Sequence, residues 1–272
     1  MGTYAITGAA SGLGAATKAR LEADGHRVVG VDLRDADVTA NLGTAEGRAE
    51  AIARITELSD GVLDGFVPFA GLAAATGRPG GLLVSVNYFG AIVLLEGLRP
   101  LLAAGTNASV VLIGSNSSTA QPNWPVEVAE LCLAGDEAGA SRATEAFGEF
   151  AAVQAYPATK AALAWYARTK SAEYIADGIR LNAIAPGLIE TPMTVEGGKD
   201  PLTAEGMAMF RNTIPAGRGG RPEEIAALVA FLLGGESTFF VGSVVFCDGG
   251  TDAAFRGRDW PRMWELDMSA LG

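Results

Sequence analysis

Short apolar runs rich in Val, Ile and Leu recur along the chain, separated by longer segments whose apolar positions return at helical spacing. The runs Thr3 to Ile6, Arg27 to Val31, Phe66 to Phe69, Ser109 to Ile113, Ile179 to Ile184 and Val244 to Phe246 have the length and composition of buried strands. A weaker strand is expected near Asp37 to Thr39. Between them, Gly12 to Asp24, Thr44 to Leu58, Leu82 to Ala103, Gln154 to Asp177 and Pro222 to Leu233 predict helices, the last opening on Pro222-Glu223-Glu224. Repeated strand-helix alternation predicts parallel strands joined by right-handed crossovers. It runs along nearly the whole chain without a repeat, linker or low-complexity tract, which favours one α/β domain.

Composition agrees with a sheet covered on both faces. Of 272 residues, 49% are hydrophobic and 19% charged, and the mean hydropathy is +0.25. The net charge of −11 offers no basic field, so nucleic acid and anionic membrane are poor partners. The N-terminus lacks the pattern of a signal peptide and no apolar stretch is expected to reach about 18 residues; a soluble, cytoplasmic protein is expected. Two cysteines, Cys132 and Cys247, are too few for a disulfide framework or a cysteine-built zinc site. The single histidine, His26, falls between the first helix and the second strand, at the end of the sheet away from ligands. A Ser/His/Asp triad and a His-rich metal centre are thereby excluded, and no metal is expected.

The segment Thr7-Gly8-Ala9-Ala10-Ser11-Gly12-Leu13-Gly14 joins the first strand to the first helix. That order brings backbone N–H groups and a helix N-terminus up to a phosphate; a tight turn without ligand is the other reading. The second strand ends in Asp32, close to the offset of about 20 residues at which a carboxylate meets ribose hydroxyls. Further on, Phe69-Ala70-Gly71 is either a cofactor rest or a strand-end turn. Asn87, inside an apolar helical stretch, marks either a helix distortion holding a water or an exposed side chain. Ser115 lies just past a central strand. Tyr156 and Lys160, four apart on a helix, share one face; alone they would read as a half-buried phenol beside a solvated ammonium. The turn Pro186-Gly187, followed by Leu188-Ile189-Glu190-Thr191, is either structural or a holder for a nicotinamide amide.

Taken together, the glycine turn, Ser115, Tyr156-x3-Lys160 and Pro186-Gly187 resemble the short-chain dehydrogenase/reductase family in its compact branch, over roughly Thr3 to Asp252. The runs Ser85 to Ala91 and Val31 to Ala36 further resemble the bacterial 3α-hydroxysteroid dehydrogenase/carbonyl reductase subgroup. The resemblance implies a doubly wound, Rossmann-type parallel sheet of about seven strands with helices on both faces, and NAD across its carboxyl ends. It implies that Gly8, Gly12 and Gly14, with Ser11 and Leu13, meet the pyrophosphate, that Asp32 and Leu33 meet the ribose, and that Asn41 and Leu42 meet the adenine. Ala70 and Gly71 would flank the adenosine side, and Pro186, Gly187, Ile189 and Thr191 the nicotinamide. Asn87, Ser115, Tyr156 and Lys160 would form the catalytic tetrad, with Tyr156 and Lys160 also touching the cofactor. Two features depart from the family: Asn41 stands where relatives carry Asp, and the usual Asn-Asn-Ala-Gly is reduced to Ala70-Gly71.

A carboxylate at Asp32 would repel a 2′-phosphate, which favours NAD(H) over NADP(H) despite the nearby Arg34. A free tyrosine, near 10, lies about three units above neutrality, worth about 4 kcal/mol, and the charge of Lys160 is expected to lower it. Ser115 is expected to steady the substrate oxygen. The partner is expected to be a small hydrophobic ketone or secondary alcohol, steroid-like or cyclic compounds included. A lid is expected over about 193–219, carrying Leu202, Met207, Met209, Phe210 and Ile214, and an insertion over about 117–150, helical from Glu127 to Phe150. The insertion precedes the helix that usually builds the family's dimer interface, so a homodimer is expected over a tetramer. A tail over 253–272 holds Phe255, Trp260, Pro261, Met263, Trp264, Leu266 and Met268. The alternative to an enzyme is a non-catalytic NAD-binding regulatory protein of the same fold.

Overall fold

The computed structural model describes residues 1–191, 194 and 204–260. Its strands are β1 (Thr3–Thr7), β2 (Arg27–Asp32), β3 (Val38–Thr39), β4 (Gly65–Pro68), β5 (Ser109–Ile113), β6 (Arg180–Pro186) and β7 (Val244–Cys247). All pair in parallel, in the order β3-β2-β1-β4-β5-β6-β7. The order reverses between β1 and β4, and there the carboxyl ends of a doubly wound sheet open a crevice. β5 and β6 are buried along their whole length, as unbroken apolar runs covered on both faces must be.

The helices are α1 (Gly12–Ala23), α2 (Ala45–Leu58), α3 (Gly80–Leu83), α4 (Gly90–Ala103), α5 (Ser117–Ala120), α6 (Val126–Leu133), α7 (Glu137–Glu145), α8 (Ala151–Ala176), α9 (Ala204–Asn212), α10 (Pro222–Leu233) and α11 (Thr251–Arg256). One face of the sheet packs α2, α4 and α8 through Ile55, Leu94, Leu98 and Leu163. The other packs α1 and α10 through Leu21, Ile225, Val229 and Leu232. Every expected strand is present within a residue or two of its expected ends.

The helix expected over Leu82 to Ala103 starts earlier, at Gly80, and contains a π-helical turn from Val84 to Phe89 around Asn87. With that turn included, Gly80–Ala103 spans 24 residues, and its most apolar 18-residue window has a mean hydropathy of 1.7, so an apolar stretch of that length is present where the sequence reading expected none. Among the described residues it is the one helix long and apolar enough to cross a membrane, and 61% of its most apolar window is buried inside the protein, as in a core helix.

The insertion is not one helix. Gly135, at φ 78°, ends α6, and the Asp136 carboxylate accepts from Gly139 N at 2.7 Å to start α7. Val128, Ala129, Cys132 and Ala140 then enter the same core as α4 and α8. The long alanine-rich helix α8 begins at Ala151, ahead of the expected Gln154, so Tyr156 lies in its second turn. Pro157 deprives the Val153 carbonyl of its helical donor, and Gln121 Nε2 takes that place at 3.2 Å.

The expected boundary between domain and tail at 252/253 falls inside α11. Phe255 and Trp260 are half exposed or more, and Phe255 meets Phe210 of the expected lid at a ring distance of 6.4 Å. Leu202, the side chain of Met207, and Pro261, Met263, Trp264, Leu266 and Met268 lie outside the described residues. His26 sits where expected, at the far end of the sheet, accepting from Gly2 N at 3.0 Å and packed edge-on against Tyr4.

Candidate active site

A cavity of about 400 Å³ opens at the carboxyl ends of β1, β2, β4, β5 and β6. Its first wall is backbone. Gly14 lets α1 pack on the turn before it, since a Cβ there would lie 2.1 Å from Gly8 O. Gly12, at φ 55°, turns a bare face toward Thr191, where a Cβ would meet nothing closer than 3.7 Å. Ser11 makes no side-chain cap and no acid occupies the first turn of α1, so its leading N–H groups are left for a ligand. An uncapped helix start facing a cradle that a single Cβ would fill fits a dinucleotide pyrophosphate.

Asp32 closes this wall at the end of β2. Its Oδ2 accepts from Ala10 N at 3.0 Å and its Oδ1 from Leu33 N at 2.7 Å, which ties the carboxylate to the glycine turn. Asn41 lines the cavity, yet its Oδ1 already accepts from Gly43 N at 3.0 Å; it shapes the Leu42 loop with the oxygen expected to be free for adenine. Ala70 N donates to Thr7 Oγ1 at 3.0 Å, fixing the Ala70-Gly71 turn beside Gly8.

The second wall is built from side chains. Ser115 follows β5; its Oγ accepts from Ser117 N at 3.1 Å, and its hydroxyl neighbours the Tyr156 phenol. The Lys160 ammonium donates to Ile113 O at 2.9 Å, on the last residue of β5, and lies 5.8 Å from the centre of the Tyr156 ring. Tyr156 is half-buried and packs near Leu72 and Leu83. The turn Pro186 to Thr191 completes the wall: Pro186 O accepts from Asn116 N at 3.0 Å, Gly187 N donates to Cys247 O at 3.1 Å, and Thr194 Oγ1 donates to Ile189 O at 2.7 Å.

Burial, and not charge, dominates the titration of Tyr156 and Lys160. It pushes the Tyr156 phenol up from its usual value, and the neighbouring Ser115 hydroxyl offsets this only in part. It brings the Lys160 ammonium down to about 8. The expected lowering of the phenol by Lys160 is therefore not what sets it in this structure.

Every residue expected at the site lines the cavity except Asn87. The Asn87 amide is buried behind the wall, where Oδ1 accepts from Leu72 N at 2.7 Å and Nδ2 donates to Leu72 O at 3.0 Å. Of the two readings left open there, the helix distortion is the one present, and the partner is a peptide group where that reading had a water. The cavity also includes Phe69, named only as part of the Phe69-Ala70-Gly71 turn, and Leu72, Leu82, Val86, Ile113 and Thr194, which sequence reasoning did not single out as site residues. Phe69, Ile113 and Val86 adjoin motif residues and could have been found from them; Leu72 and Leu82 carry no sequence signal.

A family model described as enoyl-(acyl carrier protein) reductase matches residues 140–252. The chain is 41% identical to the 3-alpha-hydroxysteroid dehydrogenase/carbonyl reductase of Comamonas testosteroni over 94% of this chain and 98% of that one. It is 30% identical to the levodione reductase of Leifsonia aquatica, over 92% and 94% of the two chains. The crystal structure of the 3-alpha-hydroxysteroid dehydrogenase from Pseudomonas sp. B-0831 complexed with NADH matches at a TM-score of 0.88 and 42% identity, covering 94% of this chain and 99% of that one. Sheet order, glycine turn and the Tyr156/Lys160 pair agree with this likeness, and the chain belongs to the short-chain dehydrogenase/reductase family, as an oxidoreductase of hydroxyl and carbonyl groups.

Proposed function

We propose that the protein interconverts a secondary alcohol and a ketone on a hydrophobic, cyclic or steroid-like substrate, using NAD(H). The observation that carries this reading is that Ser115, Tyr156 and Lys160 line the same cavity as the glycine turn and Asp32. The hydroxysteroid dehydrogenases similar to this chain support the substrate class, and the NADH complex of one of them supports the cofactor.

Gly8, Gly12 and Gly14 would hold the pyrophosphate, Asp32 the ribose, Leu42 the adenine, and Pro186 to Thr191 the nicotinamide. When bound, the cofactor supplies or accepts hydride, which is its own chemistry. Ser115 donates a hydrogen bond to the substrate oxygen and favours negative charge there as it develops. Tyr156, kept protonated by burial, gives its proton to that oxygen in the reducing direction. Lys160, anchored on Ile113 O, places its charge beside the phenol and favours the phenolate left behind. Apolar Leu72, Leu82 and Phe69 in the same cavity suit a substrate without charge.

The description of the matching family model names an enoyl reductase; the four-residue Tyr156 to Lys160 spacing favours carbonyl chemistry instead. A homodimer in the cytoplasm is the accompanying reading; the two free cysteines suit that compartment, and α6 and α7 lie against α8, the helix that usually builds the family's dimer interface. NADH oxidation assayed over a panel of cyclic ketones tests the proposal. Turnover is expected; NADH binding without turnover of any ketone favours the regulatory alternative.

A further inference from the structure

Arg48, in the first turns of α2, is a cation 4% exposed that the chemistry above does not use. Its guanidinium joins three segments distant in sequence. Nε donates to Leu42 O at 2.8 Å and Nη2 to Ser85 O at 3.0 Å. Nη1 and Nη2 also donate to Glu137 Oε2 and Oε1 at 2.7 and 2.6 Å, a bidentate pair. Glu137 is the first residue of α7, so its carboxylate comes from the insertion.

The two carbonyls held by Arg48 belong to the cavity wall. Leu42 lines the cavity, and Val86, next after Ser85, lines it as well. Loop and π-helical turn are in close contact: a Cβ on Gly43 would lie 3.1 Å from Val86 Cγ2, and one on Gly90 would lie 3.3 Å from Leu42 O. Ser85 O also accepts from Gly90 N, the i to i+5 bond of the π-helical turn. A buried guanidinium without its carboxylate is strongly unfavourable. Burial acts to raise the Glu137 carboxyl, but Arg48 and the Ser85 hydroxyl outweigh it and hold the group below the usual carboxylate range.

We propose that Glu137 is a positioning residue for the adenosine end of the cavity: through Arg48 it fixes the Leu42 carbonyl and the Ser85 turn, and with them the two apolar side chains that would flank an adenine ring. The inserted segment is on this account part of the cofactor site without touching the cofactor. The inference rests on the NAD(H) reading of the same cavity.

The test uses the full chain and two variants, Glu137→Gln and the double variant Arg48→Met with Glu137→Leu. The double variant removes both charges together and so keeps a folded protein in hand if the single one fails to fold. NADH affinity is read from its fluorescence on binding, beside the affinity for reduced nicotinamide mononucleotide, which lacks the adenosine half. The expected result is about tenfold weaker NADH binding, unchanged mononucleotide binding, and kcat at saturating NADH within about twofold of the unaltered enzyme. Unchanged NADH affinity in the folded variants overturns the inference, and so does an equal loss for the mononucleotide, which would mark a general loosening of the fold. An unaltered protein that binds no NADH overturns the NAD(H) reading itself, and this inference with it.

Discussion

The two walls of the cavity are made of different material. On the glycine side the working groups are backbone N–H donors and one carboxylate held by two of them, at Ala10 and Leu33. On the catalytic side they are three side chains, of which Lys160 is buried and anchored on Ile113 O. A wall of backbone depends on the absence of side chains, and at Gly14 it has no room for added bulk, since a Cβ there would lie 2.1 Å from Gly8 O. A wall of side chains can lose one atom and keep its shape. On the proposed reading, substitutions on the first wall should act mainly on binding and those at Ser115, Tyr156 and Lys160 mainly on rate, and the two should separate.

The largest separation is expected from Tyr156→Phe. It removes one hydroxyl and leaves the ring packed near Leu72 and Leu83. Turnover should fall by about 10²–10⁴-fold, the range of a positioned acid, while NADH affinity stays close to that of the unaltered enzyme. A variant of full activity would remove Tyr156 from the reaction and dissolve the division between the walls.

A second separation concerns pH and lies within the catalytic wall. Because burial raises the phenol, its protonated form prevails through neutrality. Ketone reduction, which needs that proton, should be nearly flat from about pH 6 to 8. Alcohol oxidation needs the phenolate and should climb about tenfold per unit over the same range. Above about 8 Lys160 gives up its proton, its support for the phenolate fades, and the climb should slacken. Profiles of kcat/KM in both directions check this; an oxidation rate independent of pH would show that another group takes the proton.

How much of this was legible in the sequence depended on whether a feature is local. Strand runs, the glycine turn and the Tyr156/Lys160 face are set within a few residues, and each was readable. The distortion at Asn87 was readable only as one of two alternatives for a polar residue in an apolar helix; its partner, the Leu72 peptide, was not readable, because fifteen residues separate the two. The helix expected from Gln154 begins at Ala151, with Pro157 inside it, and only the fold reveals that Gln121 serves the freed Val153 carbonyl. Glu137 shows the limit most clearly. Its carboxylate reads as an ordinary acid on a helical insertion, while its partner Arg48 lies 89 positions earlier and is buried against it. Pairings of that kind come from the packing of α2, α7 and the π-helical turn, not from any spacing along the chain.

The smallest effect expected here is also the most discriminating for the backbone wall. Asp32→Ala removes a charged acceptor from the ribose position, and a hydrogen bond to a charged group contributes about 1.5–3 kcal/mol. It also releases the N–H groups of Ala10 and Leu33 that the carboxylate now holds. An Asn at this position would keep one oxygen but turn its NH₂ toward one of those two donors, so Ala is the cleaner substitution. NAD binding should weaken about tenfold. At the same time the repulsion that a 2′-phosphate would meet disappears, and Arg34, exposed and no nearer than 4.0 Å to its neighbour Asp35, is free to approach it. The ratio of kcat/KM for NADP to that for NAD should then rise at least about tenfold, with Tyr156, Lys160 and the pH profiles unaffected. A ratio that stays put would mean that Asp32 serves only to brace the glycine turn, and that the choice between the two cofactors is made elsewhere on the wall.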